Sequence, residues 1–312
     1  MKSEMIRKAV KYQIEFDNGD LLYCNFARGV IHGFTKTFNS EKKLESVCWY
    51  QNGLPFGHSW HFCRGGGFLV GRLDQFGDFS GRDLAFVFPD LRTALYGTFR
   101  RGRMVSALPA RVRSLVRRDN MISLVFSTES TSSYSWDPAT RDCISSRPLL
   151  QDPYEVVSVR CGLCKDPSKG EGLFLATPGG VKSGTVLAFY NGVRLTSEEC
   201  AQPCEDWRDD AYKIMDQTEE ENVLDIPQQF RCLSQYRASL AHKANHSFQP
   251  NAKFCSFFHP RFGLIPALIS LTQISAGVEI LVNYEYSFDS CPPWYSQLQV
   301  DTMMRAYQQS RL

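Results

Sequence analysis

The sequence predicts an α+β protein that is mostly β: a stack of β-hairpins at the N-terminus, a second β-rich domain, and a helix at the C-terminus. Three observations carry this. Gly29, Gly53 and Gly77 recur 24 residues apart, and Gly102 follows after 25. Short apolar runs such as Ile122-Ser123-Leu124-Val125-Phe126 and Ile280-Leu281-Val282-Asn283-Tyr284-Glu285-Tyr286 carry the β-branched and aromatic residues of strands. From Trp294 to Leu312 the composition becomes helical, without a clean apolar stripe.

A chain of 312 residues is long for one ordinary core and suits two domains. Its 43% hydrophobic and 22% charged residues are those of a soluble globular protein. A net charge of only +2 excludes a dedicated nucleic-acid binder. The basic residues Arg100, Arg101, Arg103, Arg111, Arg113, Arg117 and Arg118 bunch together, and they read as a solvated face. No apolar run approaches the roughly 20 residues needed to span a bilayer, and Met1 to Val10 lacks the apolar core of a signal peptide. The expected compartment is the cytosol or nucleus.

Eleven cysteines, an odd number without a secretory signal, are expected to be reduced and largely buried. Cys161-x-x-Cys164 and Cys200-x-x-x-Cys204 could supply four thiolates. They lack zinc-knuckle spacing, however, and flank a glycine-rich loop. No metal is expected.

Within the repeat, companion glycines Gly33, Gly57 and Gly81 keep the same register, and Phe26, Tyr50 and Phe99 each stand three residues before a repeat glycine. Glycine at fixed offsets between short apolar runs suits stacked hairpins, with the glycines taking positive φ at the turns. This domain is assigned to 1-105, a β linker module to 106-155, the second domain to 156-287, and the C-terminal segment with its helix to 288-312.

The second domain opens with Lys169-Gly170-Glu171-Gly172-Leu173-Phe174, where a lone Gly-x-Gly supplies backbone that a ligand can approach. Gly184 to Gly192 reads as a strand ending in an Asn-Gly turn, with Tyr190 displayed at its end. His242-Lys243-Ala244-Asn245-His246-Ser247-Phe248-Gln249-Pro250-Asn251 is dense in turn formers and polar side chains suited to holding a polar ligand against backbone. Alternation along a strand would point Tyr284 and Tyr286 the same way, as a site or as an aromatic core pair. The spacing His242-x-x-x-His246 mimics two zinc ligands, but the intervening Lys243 opposes a metal.

Taken together, these segments, with His259-Pro260-Arg261-Phe262-Gly263, resemble the SET-domain protein-lysine methyltransferases that carry N-terminal MORN repeats. Phe26-Ala27-Arg28-Gly29-Val30-Ile31-His32-Gly33 is similar to a MORN repeat, and the resemblance extends over almost the whole chain. It implies a SET domain with a pseudoknot-like threaded loop, and methyl transfer from S-adenosyl-L-methionine to lysines of histone tails and other proteins. It further implies a nuclear or cytoplasmic monomer without sequence-specific nucleic-acid binding or a membrane span. The backbone of Lys169, Gly170 and Glu171 would hold the cofactor's methionine end, with Asn245 and His246 around its adenine and carboxylate and Trp294 near the adenine ring. Tyr190, Tyr284 and Tyr286 would line the lysine channel, Tyr284 orienting the amine.

Three positions depart from the family pattern. Phe254 stands where a channel tyrosine is expected, which leaves room for a second methyl and predicts mono- and dimethylation. Tyr212 replaces an asparagine, and Leu298 replaces a glutamate on the adenine side. The alternative reading is a catalytically degraded SET/MORN scaffold that binds protein partners.

Overall fold

The computed structural model describes residues 10–118, 121–128, 131–138, 143–200, 206–216, 222–287 and 291–309. The chain divides into two compact units, Met1–Pro138 with Phe257–Gly263, and Ala139–Ser256 with Leu264–Leu312.

The first unit is built on a 12-stranded antiparallel sheet in which the chain runs almost strictly from neighbour to neighbour. Its main strands are Val10–Glu15, Leu21–Ala27, Gly33–Phe38, Leu44–Gln51, His58–Phe62, Phe68–Arg72, Gly81–Val87, Thr93–Arg100, Arg103–Arg118 and Met121–Thr128. The two-residue strands Val30–Ile31 and Leu54–Pro55 pair beside this path. The glycine repeat is a repeat of turns. Arg28-Gly29, Asn52-Gly53 and Arg101-Gly102 each place two successive residues at positive φ, 56° and 78°, 51° and 82°, 49° and 76°. That backbone matches the right-handed twist of the flanking strands. At the third copy Gly77 closes a turn in which Asp74 Oδ1 accepts from the backbone N–H of Phe76 and of Asp78.

Cross-strand register then decides the core. Pairing carries Lys36, Val47, Trp60, Val70, Ala85 and Tyr96 onto one face. Phe68, Val70, Ala85, Val87, Ala94 and Ala110 are buried there, with Trp60, Tyr96, Val112, Leu124 and Phe126 packed against them. An open groove of about 470 Å³ lies on this unit, lined by Phe34, Trp49, Trp60, Phe62 and Leu124 among others. The arginines on and beside the last long hairpin make local contacts: Arg111 donates to Thr93 Oγ1, Arg113 to Ser127 Oγ, and Arg103 lies over Trp136.

The second unit is assembled from small sheets. Val159–Leu163 pairs with Glu171–Leu175, Val193–Leu195 and Lys213–Asp216 flank Asn222–Asp225, and Val186–Phe189 pairs with residues 267–269. Asn245–His246 pairs in parallel with Leu281–Val282. The C-terminal helix spans Pro293–Gln309 and buries Tyr295. No helix among the described residues is long and apolar enough to cross a membrane.

A buried carboxyl organises this unit. Glu155, 1% exposed, accepts at Oε1 from the backbone N–H of Phe189 and of Leu240. Burial, followed by the neighbouring Asp152, pushes its pKa well above the ordinary carboxyl range. It thereby fixes both the strand end before Tyr190 and the segment that leads into His242.

Two local expectations change. The strand through the tyrosine run stops at Val282, and Glu285 at φ 54° breaks the extended alternation between Tyr284 and Tyr286. Asn191-Gly192 is no surface turn. Asn191 is fully buried, donating through Nδ2 to Tyr236 Oη and through its backbone N–H to Ser239 Oγ.

The turn geometry predicts that Gly53→Val, forced to φ 82°, lowers unfolding stability by about 1–2 kcal/mol in urea titration. An unchanged midpoint would mean that the turn relaxes freely.

Candidate functional site

The site of the second unit begins with the parallel pairing of Asn245–His246 and Leu281–Val282. Two residues of ladder are little by themselves, and asparagine side chains extend them. Asn251 Nδ2 donates to the Glu279 carbonyl at 2.8 Å while its Oδ1 accepts from Leu281 N–H at 2.9 Å. Asn245 Nδ2 lies 3.2 Å from the Glu171 carbonyl, 3.0 Å from Glu279 Oε1 and 3.1 Å from Cys164 Sγ. One amide therefore joins the glycine-rich loop to the paired segments. Gly172 makes room for this cluster: a Cβ there would lie 2.6 Å from Cys164 Sγ and 2.9 Å from Glu279 Oε1, and those side chains would have to shift.

The loop keeps an accessible edge. Lys169 ends a short 3-10 turn, and Gly170 follows at φ 64° with nothing within 4 Å of the place where a Cβ would stand. Glu171 Oε2 pairs with Lys243 Nζ at 3.0 Å, and the same ammonium donates to the Arg231 carbonyl at 2.7 Å.

Aromatic rings close the space beside this frame. His246 Nδ1 accepts from Tyr284 N–H at 3.1 Å, and the buried Nε2 has no hydrogen-bond partner. The His246 ring lies 5.3 Å from Tyr284, 5.9 Å from Trp294 and 4.7 Å from Tyr295. Tyr284 and Tyr286 meet edge-on at 5.8 Å. Tyr284 Oη donates to the Ala244 carbonyl at 2.9 Å, and Tyr190 Oη to the Tyr212 carbonyl at 2.6 Å. Phe254 stands edge-on to Tyr190 at 5.9 Å. Leu298 lies one helical turn beyond Trp294, half-buried, its carbonyl accepting from Thr302 Oγ1.

Burial sets the protonation states. Desolvation, then the Lys169 charge, lowers the His246 pKa to about 4, and desolvation with Lys243 lowers that of His242 to about 3. Both imidazoles are neutral at pH 7. Burial raises Tyr190 and Tyr284 well above 10, so both remain phenols. Cys164 is raised to about 11 by desolvation and by Glu279, and is a thiol.

The candidate cofactor and channel residues thus fall in the second unit. Most of them meet in two groups: Glu171, Asn245 and His246 with the loop, and Tyr190, Phe254, Tyr212, Tyr284, Tyr286 and Trp294 in the aromatic set. Sequence reasoning did not find Glu155, Glu279 or Arg231, each of which acts across long separations with no local motif. Lys243 drew notice only as a charge opposing a metal; its burial beside Glu171 was not legible. Among the described residues no group of His, Cys, Asp and Glu is placed to hold a metal ion. Cys204 lies outside the described residues.

Residues 50–121 match a family model described as the N-terminal domain of the histone H3 K4-specific methyltransferase SET7. A histone-lysine N-methyltransferase SETD7 from Halocynthia roretzi is 36% identical over 262 residues, covering 80% of this chain and 66% of the relative. The chain therefore spans just under two thirds of that relative's length. Two solved structures are similar at low overlap. An active polycomb repressive complex 2 in the basal state is 20% identical over 41% of this chain and 15% of its own, with a TM-score of 0.31. A ctPRC2 in an autoinhibited conformation bound to S-adenosylmethionine is 19% identical over 47% and 17%, with a TM-score of 0.33.

The neutral His246 yields a pH prediction. Because its folded pKa lies below the usual 6.5, it contributes stability fully above pH 6.5, and that contribution is lost as the pH falls toward 4. The stability gap between wild type and His246→Gln should shrink from pH 7 to pH 4.5 in urea titrations. A gap independent of pH would show that His246 titrates normally.

Proposed function

We propose that the chain is a SET7-type SET-domain protein and an S-adenosylmethionine-dependent protein-lysine N-methyltransferase, a reading supported by its 36% identity to a SETD7 relative over 80% of the chain. The observation that carries this reading is one frame holding an accessible glycine loop beside tyrosine hydroxyls whose protons are already committed. Histone tails and other lysine-bearing proteins are the substrates, mono- and dimethylated, by a monomer working in the nucleus and cytoplasm.

The residues present fit the cofactor. Gly170 leaves its backbone open on one side, and His246 Nε2 is a buried polar atom without a partner. The backbone of Lys169, Gly170 and Glu171 would hold the amino-acid end. Asn245 and His246 would surround the adenine and carboxylate, Trp294 would stand near the adenine ring, and Leu298 gives an apolar edge in place of an acceptor. When bound, S-adenosylmethionine supplies an electrophilic methyl on a sulfonium.

The chain's own residues prepare the nucleophile. A lysine amine attacks only when neutral and in line, so its proton must leave to water before it enters. Neither Tyr190 nor Tyr284 can take that proton as a phenolate, since burial keeps both protonated. Each instead donates its own proton to a backbone carbonyl and presents oxygen lone pairs inward. Those oxygens accept the amine N–H groups and orient its lone pair, and they favour the polarised methyl through weak C–H···O contacts. The same phenol oxygens would hold the amine while its new methyl bond forms, and the methylated product would release a proton to solvent. Tyr286 and Phe254 complete the walls, and the missing hydroxyl at Phe254 leaves space for a second methyl.

Incubation with histones and a lysine-peptide library, read by mass spectrometry, should give methylated product. Tyr284→Phe should lower kcat/KM about tenfold or more, while cofactor affinity by calorimetry stays within about twofold. Asn245→Ala, which releases the Glu171 carbonyl, should instead weaken cofactor binding. A wild-type protein that neither binds S-adenosylmethionine nor yields product would sink the reading in favour of a scaffold.

A further inference from the structure

Arg231 lies outside every group described so far except as a carbonyl acceptor for Lys243, yet its side chain converges on the channel. Its guanidinium sits 5.0 Å above the Tyr212 ring, and the Lys243 ammonium lies 5.9 Å from the same ring. The fork is held rigidly. Arg231 Nε donates to the Ile226 carbonyl at 3.1 Å and Nη1 to the Arg208 carbonyl at 2.7 Å, bridging the two chain segments that flank Tyr212. A cation fixed over an aromatic face restrains the ring's position and tilt.

Tyr212 in turn touches the reacting space twice. Its carbonyl accepts the Tyr190 hydroxyl at 2.6 Å, and its ring lies 6.0 Å from His242. Its phenol is near enough to Tyr190 and Tyr284 to contribute to the upward shift of both. Phe254 also packs edge-on to Tyr190, with no hydroxyl to give.

Resting on the methyltransferase reading above, we propose that Arg231 is a positioning residue that clamps Tyr212, so that the Tyr212 hydroxyl limits the room Phe254 opens for a second methyl. A phenol held at the channel wall can accept an amine N–H and occupy the volume that a second methyl group needs. A phenol free to swing away would do neither. Lys243 supports the same ring from the cofactor-loop side through its pairing with Glu171.

The test is the ratio of dimethyl to monomethyl product, measured by mass spectrometry on one peptide substrate at saturating cofactor. Arg231→Gln should raise the ratio about fivefold or more, the scale of one cation–aromatic contact, with cofactor affinity by calorimetry unchanged. Tyr212→Phe keeps the ring under both cations and removes only the hydroxyl, so it should raise the ratio equally even if Arg231→Gln proves unfoldable. The double variant should go no further than Tyr212→Phe alone. An unaltered ratio in Tyr212→Phe, or effects of the two changes that multiply, overturns the clamp while leaving the enzyme intact. Wild-type protein without any methyl transfer overturns both readings.

Discussion

The site depends on a pairing only two residues long. Asn245–His246 and Leu281–Val282 lie side by side in parallel, and a ladder that short satisfies few backbone groups. Asn251 makes up the deficit by donating to one carbonyl and accepting from one amide of the facing strand, as another peptide unit would. Asn245 reaches from the same pairing to the glycine loop. Remove this pairing and the loop, the histidine and the tyrosines have no common frame.

Charge is distributed to suit that frame. Burial and the neighbouring Asp152 push the pKa of the Glu155 carboxyl upward, and its two backbone donors link the approaches to Tyr190 and His242. Lys243, 7% exposed, finds a carboxyl group and a carbonyl as hydrogen-bond acceptors. The side chains that bound the space among the tyrosines are aromatic, with Arg231 and Lys243 over the Tyr212 ring.

Much of this was legible in the chain itself, for identifiable reasons. The glycine period reports turns because positive φ is a local demand that only a few residues meet, and the structure places Gly29, Gly53, Gly77 and Gly102 at such angles. The polar run from His242 to Asn251 was readable because its turn formers are contiguous. Glu155 was not, since its partners Phe189 and Leu240 lie far along the chain and are backbone groups carrying no residue signature. Alternation overextended the strand, which ends at Val282, because periodicity presumes uninterrupted extended backbone and Glu285 departs from it; the expected meeting of Tyr284 and Tyr286 nevertheless occurs. The Tyr212–Arg231 stack escaped for a third reason: Tyr212 stood out only as a departure from the family pattern, and nothing in the chain links it to Arg231 until tertiary structure brings them together.

The sheet of the first unit has a further consequence. Because nearly every strand neighbours its predecessor in sequence, its contacts are local and its stability resembles a chain of nearest-neighbour couplings. Such an array can gain or lose a whole hairpin without re-threading the strands around it. Evolution can therefore lengthen or shorten this half of the molecule in unit steps, whereas the second unit, tied by contacts over long separations, must be inherited whole.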